Sequence, residues 1–322
     1  MQLRKILIIC ASTVTILAGG GYWYVFIAGV PQLDPPQVER NTGLTFQLQT
    51  YNSAAMGEVR TYGLILPPGY AQNATKRYPV IFLLHGGHGD ASAWEEKAAV
   101  TSVLHDLYKS NKLPPSIVIT PDGNDRRGTS PFWDPQYYDG PNGKVGTAIG
   151  SELVQVVKSR YRTLPEPQFW AMGGQSSGGW GAFNIGLRHW NNFNILFSSS
   201  GYFIDSSGAA NSPQSFIQQL PMQVRQRLRV YLDAGEEDRN FLTSTQQFHQ
   251  KLNQLGIANE FHAFSGGHGI VGPDAGWNYW HKHLADALTY VGKQMNYSAQ
   301  IKDLDEVSGT SSVQLVLNLR SF

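Results

Sequence analysis

A chain of 322 residues with 41% hydrophobic and 12% aromatic content can bury one large core. Its formal net charge of +1, with no run of Lys or Arg, argues against nucleic acid or an anionic membrane surface as a partner. No internal repeat is present.

The first thirty residues differ from the rest. Arg4 and Lys5 precede an uncharged stretch from Ile6 to Val30, long enough at about 1.5 Å per helical residue to cross a bilayer. A cleaved signal peptide would use Ile6 to Ala18 as its apolar region. Tyr22 to Ile27 extends that run with aromatics suited to an interface, so an uncleaved anchor over residues 1–30 is the favoured reading. The positive residues then leave the N-terminus in the cytoplasm and the rest of the chain outside, membrane-anchored, or secreted if the segment is cleaved. Cys10, the only cysteine, lies in this segment, so the exported domain forms no disulfide and relies on its core.

Residues 31–43 are proline-rich and polar and read as a spacer. Leu44 to Tyr51 and Val59 to Leu66 alternate apolar and polar residues and predict an antiparallel edge hairpin. Tyr78 to Leu84 is an unbroken apolar run, as in a strand buried on both faces of a parallel sheet. Helices follow at Ala93 to Lys109 and Thr147 to Tyr161, with a strand at Ser116 to Thr120 between them. Further strands are expected at Phe169 to Met172, Ile195 to Ser199, Leu228 to Ala234 and Asn259 to Phe264. Further helices are expected after Ser176, at Phe241 to Leu255 and at Ala275 to Val291. Alternation on this scale specifies an α/β fold with a mostly parallel, doubly wound sheet over residues 44–293. The tail, 294–322, is polar until VQLVLNL at 313–319.

In such sheets the active site lies beyond the strands' carboxyl ends. Gly174 and Gly178 flank Gln175, Ser176 and Ser177 in a Gly-x-Ser-x-Gly pattern, with a buried strand before it and a small, apolar helix face after it. That turn lifts the Ser176 hydroxyl above the sheet and sets the Ser177 N–H at a helix N-terminus, where an oxyanion is stabilised. A serine hydroxyl needs a histidine to take its proton and an acid to orient the imidazole, in the chain order Ser, Asp or Glu, His. Of the histidines after Ser176, His268 alone sits in a glycine-flanked loop following a strand; the others fall within helices or a strand. For the acid, Asp238 lies on the loop leaving the strand that ends at Gly235, with Glu237 and Asp233 as alternatives. A second oxyanion donor is expected from LLHGGHGD at 83–90, with Gly87 first and Gly86 or His88 next. His85 and His88 lack the cysteine or acidic companions of a metal site, so no metal and no cofactor is expected. Residues 121–146 are too long for an ordinary connection. With Trp94, their aromatics Phe132, Trp133 and Tyr137 are expected to line the substrate pocket.

GGQSSGG, LLHGGHGD with Trp94 downstream, IVITPDG at 117–123, DAGEEDRNF at 233–241 and GGHGI before Trp280 together resemble the esterase family of α/β-hydrolases. That group includes S-formylglutathione hydrolases, feruloyl esterase domains, enterochelin esterases and the antigen 85 mycolyltransferases. The resemblance covers residues 44 to about 292. It implies an α/β-hydrolase fold, Ser176, Asp238 and His268 as a triad, and N–H groups of Ser177 and the HGG loop as the oxyanion hole. The expected function is a serine-dependent carboxylic ester hydrolase acting outside the cytoplasm on a small-molecule, glycan or lipid ester. The rivals are acyl transfer to an alcohol through the same triad, and a non-catalytic binding module that keeps the fold.

Overall fold

A computed structural model of the chain describes residues 13, 15–27, 30–38 and 41–308. Among the described residues no helix is long and apolar enough to cross a membrane. Residues 15–22 are helical and run into a π-helical turn at Trp23–Ile27. Most of the Ile6 to Ala18 stretch and the VQLVLNL run lie outside the described residues.

Eight strands form one sheet. β1 (Phe46–Ser53) and β2 (Glu58–Ile65) are the expected hairpin, antiparallel with Phe46 opposite Ile65, and β2 also runs antiparallel to β4 (Ile117–Pro121). The remaining strands, β3 (Val80–Leu84), β5 (Trp170–Gln175), β6 (Ile195–Ser199), β7 (Arg229–Gly235) and β8 (Ala258–Phe264), run parallel to one another and to β4. The spatial order is β1-β2-β4-β3-β5-β6-β7-β8. Every residue of β3, β4, β5 and β6 is buried, and in β3 this double-sided burial matches the unbroken apolar run of the sequence. On the edge strand β1, buried and exposed positions interleave.

Helices cover both faces. On one side α1 (Val100–Lys109) packs against α5 (Trp277–Ser308). On the other lie α2 (Val154–Arg160), α3 (Ser177–Gly186) and α4 (Arg239–Gln254). Phe183 of α3 meets Phe248 of α4 edge-on at 5.2 Å between ring centroids, and Phe248 stacks on Phe203 at 4.0 Å.

Three expected helices differ in form or extent. Within Thr147 to Tyr161, Ala148–Leu153 is π-helical and α-helix follows over Val154–Arg160. Ala93 to Lys109 is not continuous: Ala99 takes a left-handed φ of 47°, separating a short turn at Ala93–Glu96 from α1. The Glu95 carboxylate crosses the break and accepts hydrogen bonds from Thr101 N at 3.1 Å and Oγ1 at 2.9 Å, supplying acceptors that the start of a helix lacks. The last helix continues past Val291 to Ser308.

Phe248 is fully buried between Phe183 and Phe203. Phe248→Ala is expected to lower the free energy of unfolding in urea by about 3–5 kcal/mol, through lost transfer energy and the cavity left behind.

Candidate active site

Ser176 stands between the last residue of β5 and the first of α3, with φ 53° and ψ −126°. A non-glycine residue in this region carries strain of about 1–3 kcal/mol, which the surroundings must hold. They do so from both sides. Ser176 N donates to Ser199 O of β6 at 3.0 Å, and Ser176 O accepts from Gly179 N at 2.9 Å and Trp180 N at 3.2 Å. The flanking glycines are required by close approach. A Cβ on Gly174 would lie 2.4 Å from Leu84 O, and one on Gly178 would lie 2.3 Å from the same oxygen. The turn is thus pressed against the end of β3.

His268 lies on the loop after β8, and Asp238 on the loop after β7. Ser176 Oγ is 2.9 Å from His268 Nε2, and His268 Nδ1 is 2.6 Å from Asp238 Oδ2. The carboxylate can only accept, so Nδ1 carries the proton and Nε2 is left to accept from the serine hydroxyl. The His268 amide donates to the same Asp238 oxygen at 2.7 Å. This grip requires glycine at 267, where a Cβ would be 2.4 Å from Asp238 Cγ. Burial raises the Asp238 carboxyl, but hydrogen bonds from the His268 ring and amide, with the imidazole's charge and Ser200, outweigh it and hold the group below the ordinary carboxylate range. Phe241 stacks on the imidazole at 4.2 Å and Trp280 meets it edge-on at 5.1 Å, leaving the ring little room to rotate.

The sequence alternatives for the acid lie elsewhere. Glu237 is exposed. Asp233 is completely buried behind the serine turn, where its Oδ1 accepts from Ser199 Oγ at 2.7 Å and Tyr279 OH at 2.9 Å.

Ser177 opens α3, so its N–H has no carbonyl one turn behind it to bond. Gly87 lines the cavity that opens over Ser176. The loop carrying it is braced from below by His85, whose Nδ1–H donates to Gly86 O at 2.9 Å while Nε2 accepts from Gly123 N at 2.9 Å. These bonds use both ring nitrogens within the protein. Among the described residues no group of His, Cys, Asp or Glu is arranged to hold a metal.

A cavity of about 360 Å³ opens over Ser176, walled by Gly87, Lys97, Asp134, Phe241, Trp277 and Trp280, and closed on one side by Val30 and Gln32. The four aromatics assigned to it from sequence lie off it. Tyr137 is buried, and its hydroxyl donates to His85 O at 2.6 Å, so it supports the Gly87 loop from beneath. Trp94 is buried edge-on under Trp277 at 5.8 Å. Phe132 is 75% exposed, and Trp133 sits beneath the Arg127 guanidinium at 4.7 Å with its indole N–H donated to Gly128 O. From residues 121–146 it is Asp134 that reaches the cavity. Aromatic content marked the loop but not which side chains turn inward. The walls that sequence reasoning missed come from Lys97 of the turn after Glu96 and from the start of α5. Phe241 was signalled only as the end of the DAGEEDRNF motif.

Strand ends converging on a serine, an imidazole and a carboxylate beneath a cavity define an α/β-hydrolase. The chain belongs to the family whose model is described as "Putative esterase", matched over residues 53–291. It is 24% identical over 288 residues to an uncharacterised protein of Corynebacterium glutamicum, covering 87% of this chain and 61% of that one. It is 22% identical over 267 residues to an esterase of Mycobacterium tuberculosis, covering 70% and 55%. The chain therefore spans little more than half the length of these relatives. Among solved structures it superposes on a ferulic acid esterase with a TM-score of 0.69 and 25% identity over 78% of this chain and 98% of that one. An S-formylglutathione hydrolase from Agrobacterium tumefaciens shares the fold, with a TM-score of 0.62 and 15% identity over 82% and 99%.

Burial pushes the Asp233 carboxyl up to about 7, against the lowering effect of its bonds from Ser199 and Tyr279. A folded-state value above the unfolded one means that this group's contribution is fully present in acid and is lost as pH rises toward about 7. Asp233→Asn cannot ionise. Urea unfolding at about pH 5 and about pH 8 should show wild type losing stability relative to the variant at the higher pH; parallel pH profiles would contradict the raised value.

Proposed function

We propose that the chain is a serine-dependent carboxylic ester hydrolase acting outside the cytoplasm. The observation that carries this reading is the unbroken hydrogen-bond line from Ser176 Oγ through His268 to Asp238 at the floor of a cavity. In the reaction, Ser176 Oγ attacks the ester carbonyl carbon as its proton passes to His268 Nε2. Asp238 keeps Nδ1 protonated and stabilises the imidazolium that forms. The N–H groups of Ser177 and Gly87 take the negative charge of the tetrahedral oxygen. His268 then returns the proton to the leaving alkoxide, giving an alcohol and an acyl-Ser176 ester. Water, deprotonated by the same imidazole, attacks that ester and releases a carboxylic acid and free serine. The likeness to a ferulic acid esterase and an S-formylglutathione hydrolase favours transfer of the acyl group to water.

Two measurements test the reading. With aryl esters as substrates, Ser176→Ala and His268→Ala are each expected to lower kcat by about 10⁶, and Asp238→Asn by about 10⁴. Retention of more than about a tenth of the activity in any of the three would remove that residue from the mechanism. Location rests on Arg4 and Lys5 preceding the uncharged Ile6 to Val30 stretch. Protease added to intact cells is expected to remove the catalytic domain, and protection until lysis would contradict an extracytoplasmic site.

A further inference from the structure

The segment that reads as a spacer touches the site. Residues 31–34 lie along the loop that carries His268, some 240 residues later in the chain, and five hydrogen bonds join them. Leu33 N donates to Ile270 O at 2.7 Å, Gly272 N to Asp34 Oδ2 at 2.8 Å, and Asn278 Nδ2 to Asp34 O at 2.8 Å. The Gln32 amide is used at both ends: Oε1 accepts from Trp277 N at 3.2 Å, and Nε2 donates to Ala275 O at 3.2 Å and to Asp34 Oδ1 at 2.9 Å. The fit is close enough that a Cβ on Gly276 would lie 2.2 Å from Gln32 Oε1.

The loop needs such support. Gly266, Gly267, Gly272 and Gly276 all have positive φ, so its sequence permits many backbone conformations and specifies none strongly. It begins at the catalytic imidazole and ends at Trp277 and Trp280, which wall the cavity, and Trp280 also contacts the His268 ring. Its internal bonds, Gly267 N to Asp274 O at 3.0 Å and Gly276 N to Gly267 O at 2.7 Å, close the neck of the loop. The bonds from Ile270, Gly272 and Asn278 to residues 33 and 34 fix its outer part. Val30 and Gln32, bordering the same strand of chain, complete the cavity wall.

We propose that residues 30–34 form a strap belonging to the active site, in which Gln32 and Asp34 are positioning residues that hold the His268 loop in its reactive geometry. The inference rests on His268 being the base of an ester hydrolase. Its consequence is that residues 30–34 are part of the catalytic unit, and that substrate entering the cavity passes beside them.

The test uses the full chain with Gln32→Ala/Asp34→Ala together, and Asp34→Asn alone, which keeps an oxygen for the Gly272 amide. Measured quantities are kcat and KM for a small aryl acetate, the rate of inactivation by a small fluorophosphonate, and the melting temperature. The double variant is expected to lose about ten-fold in kcat and in inactivation rate, since misplacement of a catalytic group by a fraction of an ångström is felt at this scale. KM and the melting temperature stay within error, and Asp34→Asn stays within about two-fold of wild type. Unchanged kcat in the double variant, or a loss that appears only alongside a fall in melting temperature, would overturn the strap while leaving the hydrolase reading intact. A wild-type protein inert to both ester and fluorophosphonate would overturn both.

Discussion

The geometry of the candidate site depends on one constraint: Ser176 is held at φ 53°, ψ −126°, a conformation that an isolated chain would abandon. The end of β3, through Leu84 O, presses on both Gly174 and Gly178, and β6 takes the Ser176 amide. A side chain at either glycine would push the turn off the sheet. Burying β3, β5 and β6 on both faces gives the turn a rigid base, and α3 begins only one residue after the serine, so the strained residue and a free helix N-terminus arrive together.

The other two side chains of the candidate site hang from different strands and need separate anchoring. Asp238 follows β7 almost at once and is fixed by that short tether. His268 is held by two bonds to a single Asp238 oxygen and by rings on either side. The glycines that let its loop fold back over the sheet also leave it weakly specified, and the strap proposed at residues 30–34 would answer that weakness from the far end of the chain. Beneath the site, Asp233 and Tyr279 form a buried polar contact with Ser199, the residue whose carbonyl receives the Ser176 amide. That cluster links α5 to the strand that supports Ser176.

Val80–Leu84 was the plainest strand to read because double-sided burial leaves an uninterrupted apolar run, whereas the parallel edge strand β8 is nowhere fully buried and carries Asn259, Glu260 and His262. Ser176, Asp238 and His268 were selected by a different signal, strand-to-loop transitions with glycine at the carboxyl edge of the sheet, and the structure brings the three side chains within hydrogen-bond distance of one another. What local pattern could not report was direction. Tyr137 and Phe132 share one aromatic loop, yet one braces His85 from inside and the other faces solvent. The break at Ala99 depends on a carboxylate six residues away from the amide it caps. Likewise, nothing in the proline-rich composition of residues 31–43 marks Gln32 as a neighbour of Trp277. That contact exists only once the sheet has brought the last loop over its carboxyl edge.

The central claim is that Ser176 is a nucleophile activated by His268. Intact-mass measurement after exposure of the folded protein to a fluorophosphonate, with Ser176→Ala and Ser177→Ala treated alongside, tests it most directly. A single adduct is expected on wild type and on Ser177→Ala, and none on Ser176→Ala. An adduct that persists in Ser176→Ala, or a folded wild type that gains no mass, would contradict it.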